Sequence, residues 1–156
     1  MSDEAPNDHD GAKDALGRLS KELGLELADG ALFIPFDEFF ECILSPSAGG
    51  RISMEIALIM VEGDRGGNIS RQALKLNADP SVTADGSISL DPTGSVLTLK
   101  AFTAADPRNP DALGNAVAQF IEAARGLIET LTGEGGDAQP SPPETPFDPR
   151  SFVIRG

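Results

Sequence analysis

Between residues 51 and 61 the chain alternates with a period of two: Ile52, Met54, Ile56, Leu58 and Met60 fall on one side, Ser53, Glu55 and Ala57 on the other. Successive side chains of an extended strand point to opposite faces, so this spacing predicts a strand with one face buried. A slip of one residue would carry the whole apolar set to the other face, which ties the segment to a single register. Ile59 departs from the alternation late. Such a strand is not stable alone; the rest of the chain must supply neighbouring strands and a layer to cover the apolar face.

The neighbours are legible on both sides. Leu32, Ile34 and Phe36 alternate with Phe33 and Pro35, and the proline, which lacks a backbone donor, suits an edge or a bend. Residues 39–44 predict a second strand, with Phe40, Cys42 and Leu44 on one face and Phe39, Glu41 and Ile43 on the other; residues 45–50 read as its hairpin turn. Phe39, Ile43 and Ile59 lie opposite their strands' main apolar sets, so some of them must face a partner or a helix layer. Residues 87–90 and 95–102 predict a second hairpin, joined by Asp91-Pro92-Thr93-Gly94.

Helical periodicity frames these strands. Ala12, Leu16, Leu19 and Leu23 recur at spacings of four, three and four, and Gly24 follows as a helix end. Asn68 caps a short helix carrying Ile69, Ala73, Leu74 and Leu76, which Asn77-Ala78-Asp79-Pro80 ends. Asn109 and Pro110 open a long helix with a broad apolar face of Leu113, Val117, Phe120, Ile121, Ala124, Leu127, Ile128 and Leu131, closed by Gly133. The element order α-β-β-β-α-β-β-α implies a two-layer α+β domain over residues 11–133. Residues 1–10 read as an acidic flexible arm, and residues 134–156, with Pro140, Pro142, Pro143, Pro146 and Pro149, as a Pro/Gly-rich tail. That tail ends in the apolar run Phe152-Val153-Ile154, so it reads as more than a linker.

Charge and chemistry narrow the function. The formal net charge is −13, which repels phosphate backbones and anionic lipid and so disfavours nucleic acid and membrane surfaces while attracting basic partners. The acidic start is the reverse of a basic signal-peptide opening, and no apolar run is long enough to span a bilayer; a reducing cytoplasm is the expected compartment. One cysteine, Cys42, excludes an intrachain disulfide and a thiolate-rich zinc site, and reads as a small core residue. His9 is the single histidine, so histidine triads in the folded body and multi-histidine metal sites are excluded. Asp3, Glu4, Asp8, His9 and Asp10 read as a solvated arm rather than a metal site. Residues 63–67 are glycine-rich but lack the following Lys-Ser or Lys-Thr of a phosphate loop, and residues 79–91 lack the spacing of a calcium loop. Asp37 and Glu38, the best candidate acid–base pair, are adjacent and would point to opposite faces of a strand. No catalytic residue, metal or cofactor is expected.

Several strings, in their order and spacing, resemble one family. Ala15-Leu16-Gly17-Arg18-Leu19 through Leu23-Gly24-Leu25, the helix end Ala73-Leu74-Lys75-Leu76-Asn77, and the hairpin 87–99 resemble the first helix, the middle helix and the last two strands of class I type III secretion effector chaperones, and the long closing helix is similar in length and pattern. The resemblance covers residues 12–133; beside it, the apolar end of the tail reads as docking on its own dimer or on a secretion component, occupying the effector groove until the client arrives. The resemblance implies a homodimeric, cytoplasmic bacterial protein that binds an extended N-terminal segment of a secreted effector, keeps it soluble and secretion-competent, and helps deliver it to the secretion apparatus, with the secretion ATPase as a further partner. Carried over to this chain, the resemblance makes Leu16, Leu19, Leu23, Phe33, Phe36 and Phe39 effector-binding candidates, and Ile69, Ala73, Leu74, Leu76 and Ile88 dimer-interface candidates. The alternative is a dimeric cytosolic adaptor or regulatory protein of the same fold with no link to secretion.

Overall fold

The computed structural model describes residues 8–61 and 63–133. In chain order these form α1 (Asp8–Leu23), β1 (Leu27–Ala28), β2 (Ala31–Pro35), β3 (Glu41–Ser47), a 3-10 turn (Ala48–Gly50), β4 (Arg51–Met60), α2 (Gly63–Leu76), α3 (Pro80–Thr83), β5 (Ser87–Leu90), β6 (Val96–Ala104) and α4 (Asp111–Leu131). The architecture is α+β, with one six-stranded antiparallel sheet in the order β1-β2-β3-β4-β6-β5. The chain divides into two compact units, Met1–Ile56 with Lys100–Ile121, and Ala57–Leu99 with Glu122–Gly156.

In the first unit, α1 stops where the sequence places its glycine. Gly24 takes φ +68°, its N–H bonds the Lys21 carbonyl at 3.3 Å, and the Leu25 N–H bonds the Ser20 carbonyl at 2.9 Å. Those two bonds form a Schellman ending, which a residue with a Cβ would strain. The chain then turns through Asp29 and Gly30, both at positive φ, into a two-residue hairpin that pairs Leu27 with Leu32 and Ala28 with Ala31. β2 pairs with β3 (Leu32 with Leu44, Ile34 with Cys42) and β3 with β4 (Leu44 with Met54, Pro46 with Ile52). Alternation places Leu32, Ile34, Cys42, Leu44, Ile52, Met54 and Ile56 on one buried face. Against β2, β3 and the 3-10 turn packs α1, with Ala12, Ala15, Leu16 and Leu19 buried. Each fully buried leucine contributes roughly 1.5–3 kcal/mol of transfer free energy.

The second unit is held by side chains that close backbone ends. The Asn77 amide makes two bonds to one residue of β5: its Nδ2 donates to the Ile88 carbonyl at 2.8 Å, and its Oδ1 accepts the Ile88 N–H at 2.6 Å. Asp79 caps α3, accepting from the Ser81 N–H at 3.0 Å and the Ser81 hydroxyl at 2.6 Å. Asp91 holds the turn between β5 and β6 by accepting the Ser95 and Val96 N–H groups, each at 2.8 Å, and the Thr93 hydroxyl. Leu58, Ile59, Ala73, Ile88, Leu97, Leu99, Ala124, Leu127, Ile128 and Leu131 make its core.

Several expectations need correction. The turn read at 45–50 is shorter: Ser45-Pro46-Ser47 continues β3. The Phe36 N–H bonds the Phe40 carbonyl, so even-numbered positions of β3 bond towards β2; by alternation the Pro46 nitrogen points the same way, past the first residue of β2, where no ladder bond is lost. Residues 63–67, read as a loop, begin α2. Each glycine there costs about 1 kcal/mol in a helix, and packing of the later turns, where Ala73 is buried, outweighs local propensity. Asp8–Asp10 belong to α1 rather than to an arm, and α3 and β1 are additional short elements. Asp37 and Glu38 stand in a bend rather than a strand. The residues 1–7 of the acidic arm and the tail 134–156 lie outside the described residues.

Ile59 is explained by a bulge. The Ala105 N–H bonds the Gly50 carbonyl and the Val61 N–H bonds the Ser95 carbonyl. From Gly50 to Val61 β4 advances one residue more than β6 retreats from Ala105 to Ser95, so one residue of β4 is extra. Leu58 and Ile59, consecutive and both buried, mark its place.

Candidate apolar binding surface

The first unit carries a set of large apolar side chains that its own core does not cover. Leu23 is 47% exposed, Leu27 42%, Phe33 37% and Phe39 41%. Leu23 ends α1, and Leu27 and Phe33 lie on β1 and the neighbouring β2. Leu27 opposes Leu32, whose side chain faces α1, while Phe33 opposes Ile43 on the other face, and Phe39 sits in the bend between β2 and β3. Scattered exposed leucines need no explanation, but Leu23, Leu27 and Phe33 lie on adjoining elements beside a sheet edge and mark a candidate interaction surface.

The six partner-binding candidates separate into three groups. Leu23, Phe33 and Phe39 are exposed; Phe36 is half-buried, its ring stacked on Phe40 with centroids 5.6 Å apart; Leu16 and Leu19 are buried, at 0% and 7% exposure. The last two are therefore core residues. Sequence reasoning grouped all three leucines of α1 because they share one helical stripe, and it missed Leu27, whose two-residue strand is too short to leave a periodic signal.

The open sheet face of this unit adds charge. The Arg51 guanidinium lies over the Phe102 ring, 4.7 Å from its centroid, and the Lys100 ammonium lies 5.6 Å from the same centroid. Phe102 is 47% exposed. Among the described residues neither cation forms an ion pair with a carboxylate. Alternation against buried Leu97, Leu99 and Ala101 was the available signal for this face.

No reactive constellation accompanies these surfaces. Cys42 is buried and its thiol is pushed up to about 12 by burial, against a smaller opposing effect of the Glu55 backbone hydrogen bond, so it stays protonated and unreactive at neutral pH. The Asp79 and Asp91 carboxyls sit below the usual carboxylate range, through the Ser81 and Thr93 hydroxyl bonds respectively and then through backbone N–H groups; both are turn-forming groups. Among the described residues no cluster of three or more His, Cys, Asp or Glu is placed to hold a metal, and no helix is long and apolar enough to cross a membrane.

In the second unit the dimer-interface candidates also divide. Leu74 is 67% exposed, Ile69 and Leu76 are half-buried, and Ala73 and Ile88 are in the core. Leu90, which was not a candidate, is 46% exposed on β5.

The elements are α1, an antiparallel sheet and a long closing helix, with large apolar side chains exposed on the first unit. The chain belongs to the Tir chaperone protein (CesT) family, whose model matches residues 14–127. Three solved structures share the fold. They are the ExsC–ExsE complex (TM-score 0.62, 19% identity, covering 79% of this chain and 95% of that one), the HopA1–SchA chaperone–effector complex (0.58, 19%, 80% and 98%), and the ExoU–SpcU complex from the type III secretion system of Pseudomonas aeruginosa (0.52, 22%, 69% and 89%). No curated protein sequence matches the chain.

Proposed function

We propose that the protein is a cytoplasmic type III secretion chaperone that binds an extended segment near the N-terminus of a secreted effector and keeps it unfolded and deliverable to the secretion apparatus. The observation that carries this reading is the exposed apolar set Leu23, Leu27 and Phe33 beside the β1 edge, with Phe39 exposed in the bend that follows β2. An extended client would gain main-chain bonds from the edge and bury alternate side chains against the rim. Family membership and the fold shared with chaperone–effector complexes support the reading. Self-association into a homodimer accompanies it, with Leu74 as the most exposed apolar side chain on α2 and Ile69 and Leu76 beside it. Delivery to a secretion ATPase is the part of the proposal that family membership alone supports.

The test is capture of clients by tagged protein from its native cytosol, with the bound region mapped by limited proteolysis. A secreted protein protected over an N-terminal segment by the parent, and not by a Leu23→Ser/Leu27→Ser/Phe33→Ser variant of unchanged stability, supports the proposal. Equal capture by both proteins would place the client elsewhere, and capture of a folded housekeeping protein would favour an adaptor. Sedimentation of Leu74→Asp alongside the parent tests the dimer: the variant should run as a monomer.

A further inference from the structure

The edge that the client reading assigns to an extended segment is acidic as well as apolar. Residues 22–50 contain Glu22, Glu26, Asp29, Asp37, Glu38 and Glu41 and no Lys, Arg or His. All of these carboxylates are exposed, and the same stretch supplies exposed Leu23, Leu27, Phe33 and Phe39. Charge and apolar surface are interleaved there. Glu22 and Glu26 directly precede Leu23 and Leu27, and Glu38 directly precedes Phe39. The pairing of Phe33 with Ile43 and of Pro35 with Glu41 makes Glu41 a diagonal neighbour of Phe33 across the ladder, about 7–8 Å away. Among the described residues no ion pair joins Glu22, Glu26, Asp29, Asp37 or Glu41 to a cation.

The cations of this unit's sheet stand at a distance. Arg51 pairs with Ser47 at one end of β3 and Glu41 pairs with Pro35 at the other, so the length of that strand, roughly 20 Å, separates the two. Screening acts over about 8 Å at physiological salt, and Arg51 leaves the carboxylates uncompensated. Lys100 lies on β6, beyond β4 in the strand order. Arg18 and Lys21 precede the run on α1 and leave it with an excess of negative charge. A Lys or Arg side chain suits such a surface, because its aliphatic stem covers apolar groups while its head reaches a carboxylate. An acidic segment would meet like charge beside every apolar contact. We infer that the segment taken by this edge is basic as well as apolar: an extended stretch with Lys or Arg interspersed among large apolar residues, its apolar side chains against Leu23, Leu27 and Phe33 and its cations at Glu22, Glu26 and Glu41. This rests on the client reading above and narrows it to one chemical class of client segment.

Fluorescence anisotropy of the full chain with synthetic peptides tests it. Three peptides share the same large apolar residues and differ in the interspersed ones, which are Lys, Ser or Glu. The Lys peptide should bind about tenfold tighter than the Glu peptide at low salt, with the Ser peptide between them, and the gap should shrink as salt is added. Glu26→Gln/Glu41→Gln should reduce the gap several-fold, whereas Asp85→Asn/Glu129→Gln, which removes the same charge from exposed positions outside residues 22–50, should leave it in place. Equal reduction by the two variants would assign the preference to the net charge of the whole chain and overturn the inference. Equal affinity for all three peptides, lost together in Leu27→Ser/Phe33→Ser, would overturn the basic preference and leave the client reading standing. Binding of none of the three would remove both.

Discussion

The two edges of the sheet are finished in opposite ways. At β5 the outward N–H and C=O of Ile88 are both taken by the Asn77 side chain, so a polar group from the end of α2 substitutes for the next strand. At the other edge β1 is two residues long and is bordered by exposed Leu23, Leu27 and Phe33. Unpaired edges recruit strands from other chains, and proteins that do not want such recruitment block them. The β5 edge is blocked at its centre; the β1 edge combines a short strand with an apolar rim, which suits controlled strand addition.

The largest effect should separate rim from core beneath the β1 edge. Leu16→Ala removes a fully buried side chain and is expected to cost ~2–5 kcal/mol, whereas Leu23→Ser, nearly half exposed, should stay within ~0.5 kcal/mol. Urea denaturation of both variants gives the numbers. A large loss for Leu23→Ser would mean that the rim is part of the core, and the comparison of edges would collapse.

Asn77→Ala tests the blocked edge and should cost about 2 kcal/mol, because two hydrogen bonds to Ile88 vanish together and their backbone partners lose compensation. Hydrogen exchange should then rise at Ile88 before it rises at Leu32 or Leu44. Unchanged protection at Ile88 would show that another group closes that edge.

What the sequence displayed, and what it hid, follows from which forces leave a periodic mark. The alternation of Ile52, Met54, Ile56 and Leu58 and the wide stripe of α4 are printed by one-sided burial, and both elements are where that pattern puts them. The β4 bulge, the start of α2 among glycines and the continuation of β3 through Pro46 depend on what lies next to each residue in space, and a linear pattern carries no record of that. The apolar rim was half visible: the residue types were there, but helical spacing cannot separate Leu16 from Leu23, because the end of the stripe runs beyond the layer it packs on.

The Asp91 turn should respond to pH. Its carboxyl, like that of Asp79, sits below the usual range in the folded protein. A depressed carboxylate contributes stability that is present above the unfolded value, near ~3.9, and is lost as pH falls through the lower folded value. The denaturation midpoint of the parent should therefore exceed that of Asp91→Asn at pH 7, and the gap should close below pH ~4. Asp79 is exposed and Asp91 only half-buried, so solvent screening ranks this effect below the loss of Asn77. A gap that stays constant through the acid range would assign the turn's contribution to its shape rather than to its charge.

The smallest expected change in stability carries the sharpest information about the β1 edge. Because Phe36 bonds Phe40, even-numbered residues of β2 point their amides towards β3, and positions 31, 33 and 35 point outward. β1 pairs only as far as Leu32, and Pro35 has no N–H to offer beyond it. Pro35→Val restores an outward donor and a β-favouring side chain next to exposed Phe33, while the ladder to β3 stays intact. Folding stability should move by less than ~0.5 kcal/mol, yet concentration-dependent association, followed by light scattering, should increase, because the edge now offers consecutive donors and acceptors to another chain. Monodisperse behaviour identical to the parent at every concentration would mean that Pro35 does not limit pairing at this edge, and that the contrast with the Asn77-closed edge is one of surface polarity rather than of backbone access.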